Sequence, residues 1–321
     1  SEGDDLIKGA FVGFGNIAEH GHLPAYRELG IDIVAAVDNC STRKNIARGY
    51  GLKGYSTIRS LVENEKIDFI DLCTPPNYRA KAFDIAAEYG IDVICEKPIA
   101  HMSDFQKIKK IANNSNVFFF PVHNWKYAPQ YQKLKEVING NCNIQMNILR
   151  TSFGRGNSDW KPDWRIDYTI SGGGILMDHG YHSIYLAMYL MDEKFKSTNL
   201  KKISYFNNSS IENSISFELH FSQNRSTIIN LDWCADKREI HNVINTNNNN
   251  VELLENKITV GKKVYNFEHS LSQDSIHVRW YLGVISEFVE KRNSFDKKFF
   301  LEATHVLDGI KRLYEQAEKW K

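Results

Sequence analysis

Gly13-Phe14-Gly15-Asn16-Ile17-Ala18 follows an apolar run over residues 6–12 that contains Ile7, Ala10, Phe11 and Val12. It matches Gly-x-Gly-x-x-Gly/Ala between a strand and a helix, and the spacing has a mechanical reading. The first glycine makes a tight turn, the second lets the backbone approach a pyrophosphate, and the small third residue allows close helix–strand packing, with the phosphates on the helix N-terminus. Asn16 and Ile17 complete this candidate dinucleotide cradle. A second strand over 31–37 ends in Asp38, twenty residues beyond Ala18, where a carboxylate accepts hydrogen bonds from a ribose diol. The competing account of Asp38 is a turn residue ahead of a helix at 41–50.

Outward from this stretch, helix and strand patterns alternate, as a parallel sheet covered on both faces requires. Helices are expected at 56–64 and 78–89, the latter closed by Gly90, with strands at 67–73, 91–95 and 117–122. Ser103-x-x-Gln106 reads as a capping box opening a helix to about residue 112. Residues 1–122 therefore read as a Rossmann-type, doubly wound α/β domain. After His123-Asn124-Trp125-Lys126-Tyr127-Ala128-Pro129 the pattern changes. One helix at 130–138 precedes strands at 144–153, 201–206, 214–221, 226–233, 240–246, 251–255 and 257–267, then helices at 275–291 and 299–320. Ile215, Phe217, Leu219 and Phe221 alternate with polar residues, the period of an antiparallel strand with one buried face. Residues 123–321 are read as an α+β domain with a large, mostly antiparallel open sheet. Asn247 to Asn250 is expected to turn a hairpin because asparagine tolerates left-handed backbone.

Length and composition bound the function. A chain of 321 residues has room for two domains with their own cores. Forty basic and thirty-nine acidic residues leave a net charge of +1, which argues against nucleic acid or an anionic membrane as partner. The apolar runs fall short of the roughly 20 residues of a membrane span, and the acidic start Ser-Glu-Gly-Asp-Asp is unlike a secretory signal. The expectation is a cytoplasmic protein. Five widely spaced cysteines with no Cys-x-x-Cys pair suggest reduced thiols and no metal centre.

Two further stretches carry chemistry. Asp92-Val-Ile-Cys-Glu-Lys-Pro98 is an apolar strand ending in Glu96 and Lys97 before a proline, where a lysine tends to be desolvated and suited to holding or moving a proton; the competing account is a solvated strand end. Ser171-Gly172-Gly173-Gly174 leads into Asp178-His-Gly-Tyr-His182 and a buried helix. Asp178 and His182 are four apart, so on a helix they share a face and the carboxylate can orient an imidazole base. The alternative is a core histidine with Asp178 as an N-cap.

Gly13 to Ala18, Cys73-Thr74-Pro75-Pro76, Glu96-Lys97-Pro98, Asn124-x-x-x-x-Pro129 and Asp178-x-x-x-His182 together resemble the glucose–fructose oxidoreductase, inositol dehydrogenase and rhizopine-catabolism (Gfo/Idh/MocA) family. The resemblance covers nearly the whole chain, with its specific motifs before about Leu190. It implies a Rossmann domain followed by an α+β domain whose open sheet joins subunits, as a homodimer or homotetramer. It implies NAD, less so NADP, as cofactor, and a small carbohydrate or cyclitol as substrate. By position, Gly13, Gly15 and Ala18 would cradle the pyrophosphate and Asp38 the ribose; Thr74, Pro75 and Glu96 would line the nicotinamide side. Lys97, Asp178 and His182 resemble the catalytic trio. Asn124, Trp125, Tyr127, Trp160, Trp164, Arg165 and Asp167 would form the substrate wall. The Lys97–Pro98 peptide is expected to be cis. Arg79 departs from the pattern, standing where many members have histidine. The expected reaction is hydride transfer between a ring carbinol and nicotinamide; the rival readings are a redox-cycling NAD-dependent glycoside hydrolase and a non-catalytic NAD-binding sensor.

Overall fold

The computed structural model describes residues 6–138, 141–151 and 164–321. Packing divides them into two compact units, one holding residues up to 122 together with 278–301, the other holding the described remainder of 123–277 and 302–321.

In the first unit the chain runs β1 (Lys8–Val12), α1 (Leu23–Glu28), β2 (Asp32–Val37), α2 (Ser41–Gly49), β3 (Lys53–Tyr55), α3 (Ile58–Asn64), β4 (Phe69–Leu72), α4 (Ala80–Tyr89), β5 (Asp92–Cys95), α5 (Phe105–Asn114) and β6 (Phe119–Pro121). The sheet order is β3-β2-β1-β4-β5-β6 with every pairing parallel. Four consecutive buried residues in β4 show why its sequence is nearly all apolar: helices cover both faces. The strand order reverses beside β1, between β2 and β4, and in open α/β sheets ligands bind outside the strand ends at such a point. Strand β3 escapes sequence reading because Lys53-Gly54-Tyr55 is a short polar edge with no apolar run. The expected capping box does not form. Ser103 directs both its backbone amide and its hydroxyl to His101 Nδ1, at 3.1 and 2.7 Å, and α5 starts after Asp104 with no side-chain cap.

The second unit contains α6 (Pro129–Val137), β7 (Cys142–Leu149), α7 (Tyr168–Ser171), α8 (Tyr181–Met191), β8 (Ser197–Tyr205), β9 (Glu212–His220), β10 (Ser226–Asp232), β11 (Glu239–Thr246), β12 (Asn250–Leu254), β13 (Lys257–Val260) and β14 (Lys263–Asn266). Its sheet order is β14-β13-β12-β11-β7-β10-β9-β8, antiparallel except where β10 pairs with β7. Ile215, Phe217 and Leu219 of β9 are buried with Ile144 and Met146 of β7 and Ile229 and Leu231 of β10, so the alternating stripe is core. Residues 257–267 split into two strands about Gly261, whose φ of 58° lies in the left-handed region that glycine enters without strain. The β11–β12 hairpin forms, but for another reason than expected: Thr246 Oγ1 donates to Asn249 O at 2.6 Å and accepts from the Asn249 amide at 3.0 Å. A left-handed pair does occur in the β9–β10 turn, at Gln223 and Asn224.

The last two helices are α9 (Tyr281–Ser294) and α10 (Lys298–Glu318). Sequence reading groups α9 with the second domain, whereas it packs in the first unit. Phe288 sits 5.2 Å from Phe69, 6.0 Å from Phe118 and 5.7 Å from Phe120 between ring centroids, and Arg292 Nε reaches Asp92 Oδ2 at 2.7 Å.

Candidate active site

Gly13 follows β1 with φ 85°, and a β-carbon there would lie 2.9 Å from the Thr74 amide nitrogen, so the glycine is required twice over. Over Gly15 a β-carbon would meet nothing within 4 Å, which leaves open space above the backbone. Ala18 is fully buried while Asn16 and Ile17 are half-buried, and the helix they open begins with a π turn over Ala18–His22. Asp38 follows β2 directly. Its Oδ2 accepts the Phe14 amide and its Oδ1 the Cys40 amide, each at 2.9 Å, so the residue both closes its own turn and braces the glycine loop. Arg43 adds a brace that sequence reading did not assign, donating to Phe14 O at 2.6 Å and to Glu19 Oε2 at 2.7 Å. Thr74 Oγ1 and Asn77 Oδ1, in the turn after β4, are buried without a partner. Orphaned polar atoms, an open glycine backbone and a carboxylate beyond β2 are together what a dinucleotide would satisfy.

The turns after β4 and β5 are tied by Arg79. Its buried guanidinium donates to Thr74 O at 3.0 and 2.6 Å and to Glu96 O at 2.5 Å, so the departure from the family pattern serves as a clamp. Glu96 is buried and Lys97 half-buried, and the Lys97–Pro98 peptide is cis. Beneath them lies a cluster that no motif announced. His22 Nε2 meets Glu96 Oε1 at 2.8 Å, and its Nδ1 meets Asp71 Oδ2 at 2.5 Å. Tyr26 Oη donates to the same Asp71 oxygen at 2.6 Å, and Cys73 Sγ to Asp71 Oδ1 at 3.2 Å. Burial opposes charge on His22, but Asp71 and Cys73 together outweigh it and hold the imidazole well above its usual range. Burial likewise works against Glu96, yet His22 and the Lys97 charge keep its carboxyl below the ordinary value. The readable signal was Asp71 itself, an acid inside an apolar strand that must have a partner.

In the second unit Asp178 lies in a π turn, Leu176–Gly180, that leads into α8 with His182 in its first turn. His182 Nδ1 is 2.6 Å from Tyr185 Oη, which also accepts the Trp125 amide at 3.1 Å. The Trp125 ring lies 5.2 Å from the His182 ring and 4.6 Å from that of His277. Burial pushes His277 down to about 4, and burial with the Lys126 charge holds His123, stacked on Tyr185 at 4.1 Å, well below its usual range. Both rings are therefore neutral near pH 7. Asp178 has Arg165 Nε at 3.9 Å and His179 Nε2 at 3.6 Å, and the Arg165 guanidinium lies 4.5 Å over the Trp164 ring. Asn124 and Trp125 are buried, and Tyr127 Oη is a buried hydroxyl without a partner. Asp167 caps α7 through Thr169, and Trp160 falls outside the described residues. The glycine loop ahead of Asp178 is held by Glu212, whose Oε1 accepts Gly174 N at 2.8 Å, Leu176 N at 3.0 Å and Tyr314 Oη at 2.8 Å. Tyr185, Glu212 and Tyr314 were not readable, since each acts from outside the motif it serves.

Among the described residues no helix is long and apolar enough to cross a membrane. Residues 7–123 match the model of the Gfo/Idh/MocA oxidoreductase family, NAD-binding Rossmann fold, and residues 131–253 match the C-terminal domain of the same family. Levoglucosan dehydrogenase of Pseudarthrobacter phenanthrenivorans is 28% identical over 206 residues, 60% of this chain and 52% of that protein. Myo-inositol 2-dehydrogenase of Thermotoga maritima is 25% identical over 143 residues, 44% of this chain and 41% of that protein, so the chain spans about half the length of these relatives. An oxidoreductase of Agrobacterium radiobacter, solved with NAD+, L-tartaric acid and magnesium, shares the fold with a TM-score of 0.81 at 15% identity, covering 98% of this chain and 97% of that one. With both halves matched in order, the N-terminal domain over 7–123 and the C-terminal domain over 131–253, the chain belongs to the Gfo/Idh/MocA family of NAD-binding oxidoreductases.

Proposed function

We propose that the protein is an NAD-dependent dehydrogenase acting on a hydroxyl or keto group of a sugar, sugar acid or cyclitol. The observation that carries this reading is the C-terminal edge of the parallel sheet, where the β1 glycine turn, Asp38, the orphaned Thr74 and Asn77 atoms, and Lys97 all follow strand ends. NAD, when bound, supplies the hydride acceptor. Gly13, Gly15, Asn16, Ile17 and Ala18 hold the pyrophosphate, Asp38 the ribose, and Thr74, Pro75 and Glu96 the nicotinamide side. In the oxidative direction His182 takes the hydroxyl proton at Nε2 while Tyr185 keeps Nδ1. Lys97 donates a hydrogen bond to that same oxygen, and Asp178 steadies the charge that develops. Asn124, Trp125, Tyr127, Trp164 and Arg165 contact the substrate. The unpartnered Tyr127 hydroxyl and the Trp164–Arg165 stack are suited to a polyol, which presents hydroxyls along its rim and C–H bonds on its face. The named relatives, which act on levoglucosan and myo-inositol, support the same class. The open sheet face joins a second copy of the chain, in a dimer or tetramer.

Levoglucosan, myo-inositol, common aldoses and their aldonic acids, offered with NAD, test the reading through NADH absorbance. One of them should give net NADH. Lys97→Ala and His182→Ala should each lower turnover about 10²-fold, with NADH affinity by fluorescence unchanged. Asp38→Ser should move preference from NAD toward NADP, because the carboxylate repels a 2′-phosphate. Normal turnover in either alanine variant, or cofactor use with no net NADH, sinks the reading.

A further inference from the structure

We propose that His22 is a positioning residue for Lys97: bridging Asp71 and Glu96, it holds the Glu96 carboxylate against the Lys97 amide and so fixes the turn from which Lys97 works. This rests on the assignment of Lys97 above. The geometry forms one continuous chain. Tyr26 and Cys73 donate to Asp71; Asp71 meets His22; His22 meets Glu96; and Glu96 Oε2 accepts the Lys97 amide at 3.1 Å. The ring of Tyr281, on α9, packs 4.4 Å from the imidazole, and Tyr281 also hydrogen-bonds Glu96. His22, Asp71 and Glu96 come from the helix after the glycine loop, from β4 and from the residue after β5. The imidazole therefore ties together three separately folded stretches behind the cofactor-facing edge.

The same cluster brings donor atoms of His22, Asp71 and Cys73 within 4.8 Å, a grouping open to a metal ion. The distances favour hydrogen bonds instead. Two donors sharing a tetrahedral ion stand roughly 3.3 Å apart, whereas His22 Nδ1 and Asp71 Oδ2 are 2.5 Å apart and Nε2 is already engaged with Glu96. A buried imidazole with a carboxylate on each nitrogen is a strut, held at both ends by charge-assisted bonds.

The groups facing His22 and Glu96 are Tyr26 from α1, Asp71 and Cys73 from β4 and its end, Arg79 at the head of α4, Lys97, and Tyr281 from α9. With His22 in place the strut stays charged through neutral pH, since its imidazole is held up and Glu96 held down. Without the imidazole, burial dominates at Glu96 and its carboxyl rises. Protonated Glu96 then accepts the Lys97 amide less well, so activity falls as pH falls.

The test is His22→Asn, read in three ways. Turnover on the polyol that gives NADH in the screen should drop 10- to 10²-fold, the scale of a misplaced catalytic group, with KM for NAD unchanged. Its pH profile should gain an acidic limb in addition to the one that the proton-accepting His182 gives the wild type. The Lys97 amide resonance, followed by NMR with no substrate present, should move upfield as its bond to Glu96 weakens. His22→Gln, which keeps a donor toward Glu96, should recover part of the turnover, and it serves as the folding control together with melting curves. Adding Glu96→Gln to His22→Asn should cost little more than either alone. Wild-type turnover with no new limb, or an unmoved Lys97 resonance, overturns the proposal. If Lys97→Ala itself turns over normally, the catalytic assignment has failed rather than the strut.

Discussion

Glu212 is a buried carboxyl that titrates where carboxyls seldom do. Burial raises it to about 7 even though Gly174, Leu176 and Tyr314 all donate to its Oε1, and its Oε2 has no partner. An unfolded glutamate titrates near 4.5, so between that pH and about 7 the folded chain keeps a proton the unfolded chain has released. The stability this group adds is complete below the lower value and is lost as pH rises through the upper one, by on the order of 3 kcal/mol. Glu212→Gln should flatten that part of the curve, whatever it does to absolute stability. Denaturant melts from pH 5 to pH 8 check it, and equal slopes for variant and wild type refute it. Residues of this kind are where sequence reading stops. Gly13, Lys97 and Asp178 sit in contiguous motifs that mark them, whereas His22, Asp71, Tyr185 and Glu212 gain their roles from partners as far as 102 positions away along the chain. Arg79 shows the other limit: its substitution was visible, but its grip on two carbonyls needed coordinates.

Two elements share a device. Each helix that follows a glycine loop opens with a π turn, Ala18–His22 in one unit and Leu176–Gly180 in the other, and π turns concentrate at functional sites because they re-aim side chains. Helix existence was readable from the glycine motif in the first unit and from an apolar run in the second; the extra residue in the turn was not, since no local pattern encodes it. The second sheet shows the same division. Its alternation marked strand β9 correctly, and the buried stripe leaves a polar outer face where Ser216 Oγ meets Asn230 Oδ1 at 2.6 Å and Asn230 Nδ2 meets Asn147 Oδ1 at 2.9 Å. Ile228 is the exposed apolar residue on β10. If that face joins copies of the chain, light scattering at micromolar concentration should give the mass of a dimer or tetramer, and Ile228→Lys should lower it. A monomeric mass for the wild type rules the interface out.

At the scale of the whole molecule, the described residues of the first unit come from two separate stretches, and α9 covers an aromatic surface of Phe69, Phe118 and Phe120. Residues 1–122 expressed alone should aggregate or melt well below the same stretch joined by a linker to 278–301, as circular dichroism and centrifugation would show. A stable, soluble 1–122 fragment contradicts this. The alternation that made the Rossmann domain readable gave no hint of the return, because an amphipathic helix does not declare which core it joins. The return also sets a timetable for biosynthesis. At 5–20 residues per second a ribosome needs about 9–35 s to travel from the end of β6 to the end of this helix. Throughout that interval the half of the protein made first waits with its aromatic face bare, while the chain emerging behind it can already fold, and a chaperone that shields nascent chains would find its longest-lived target there.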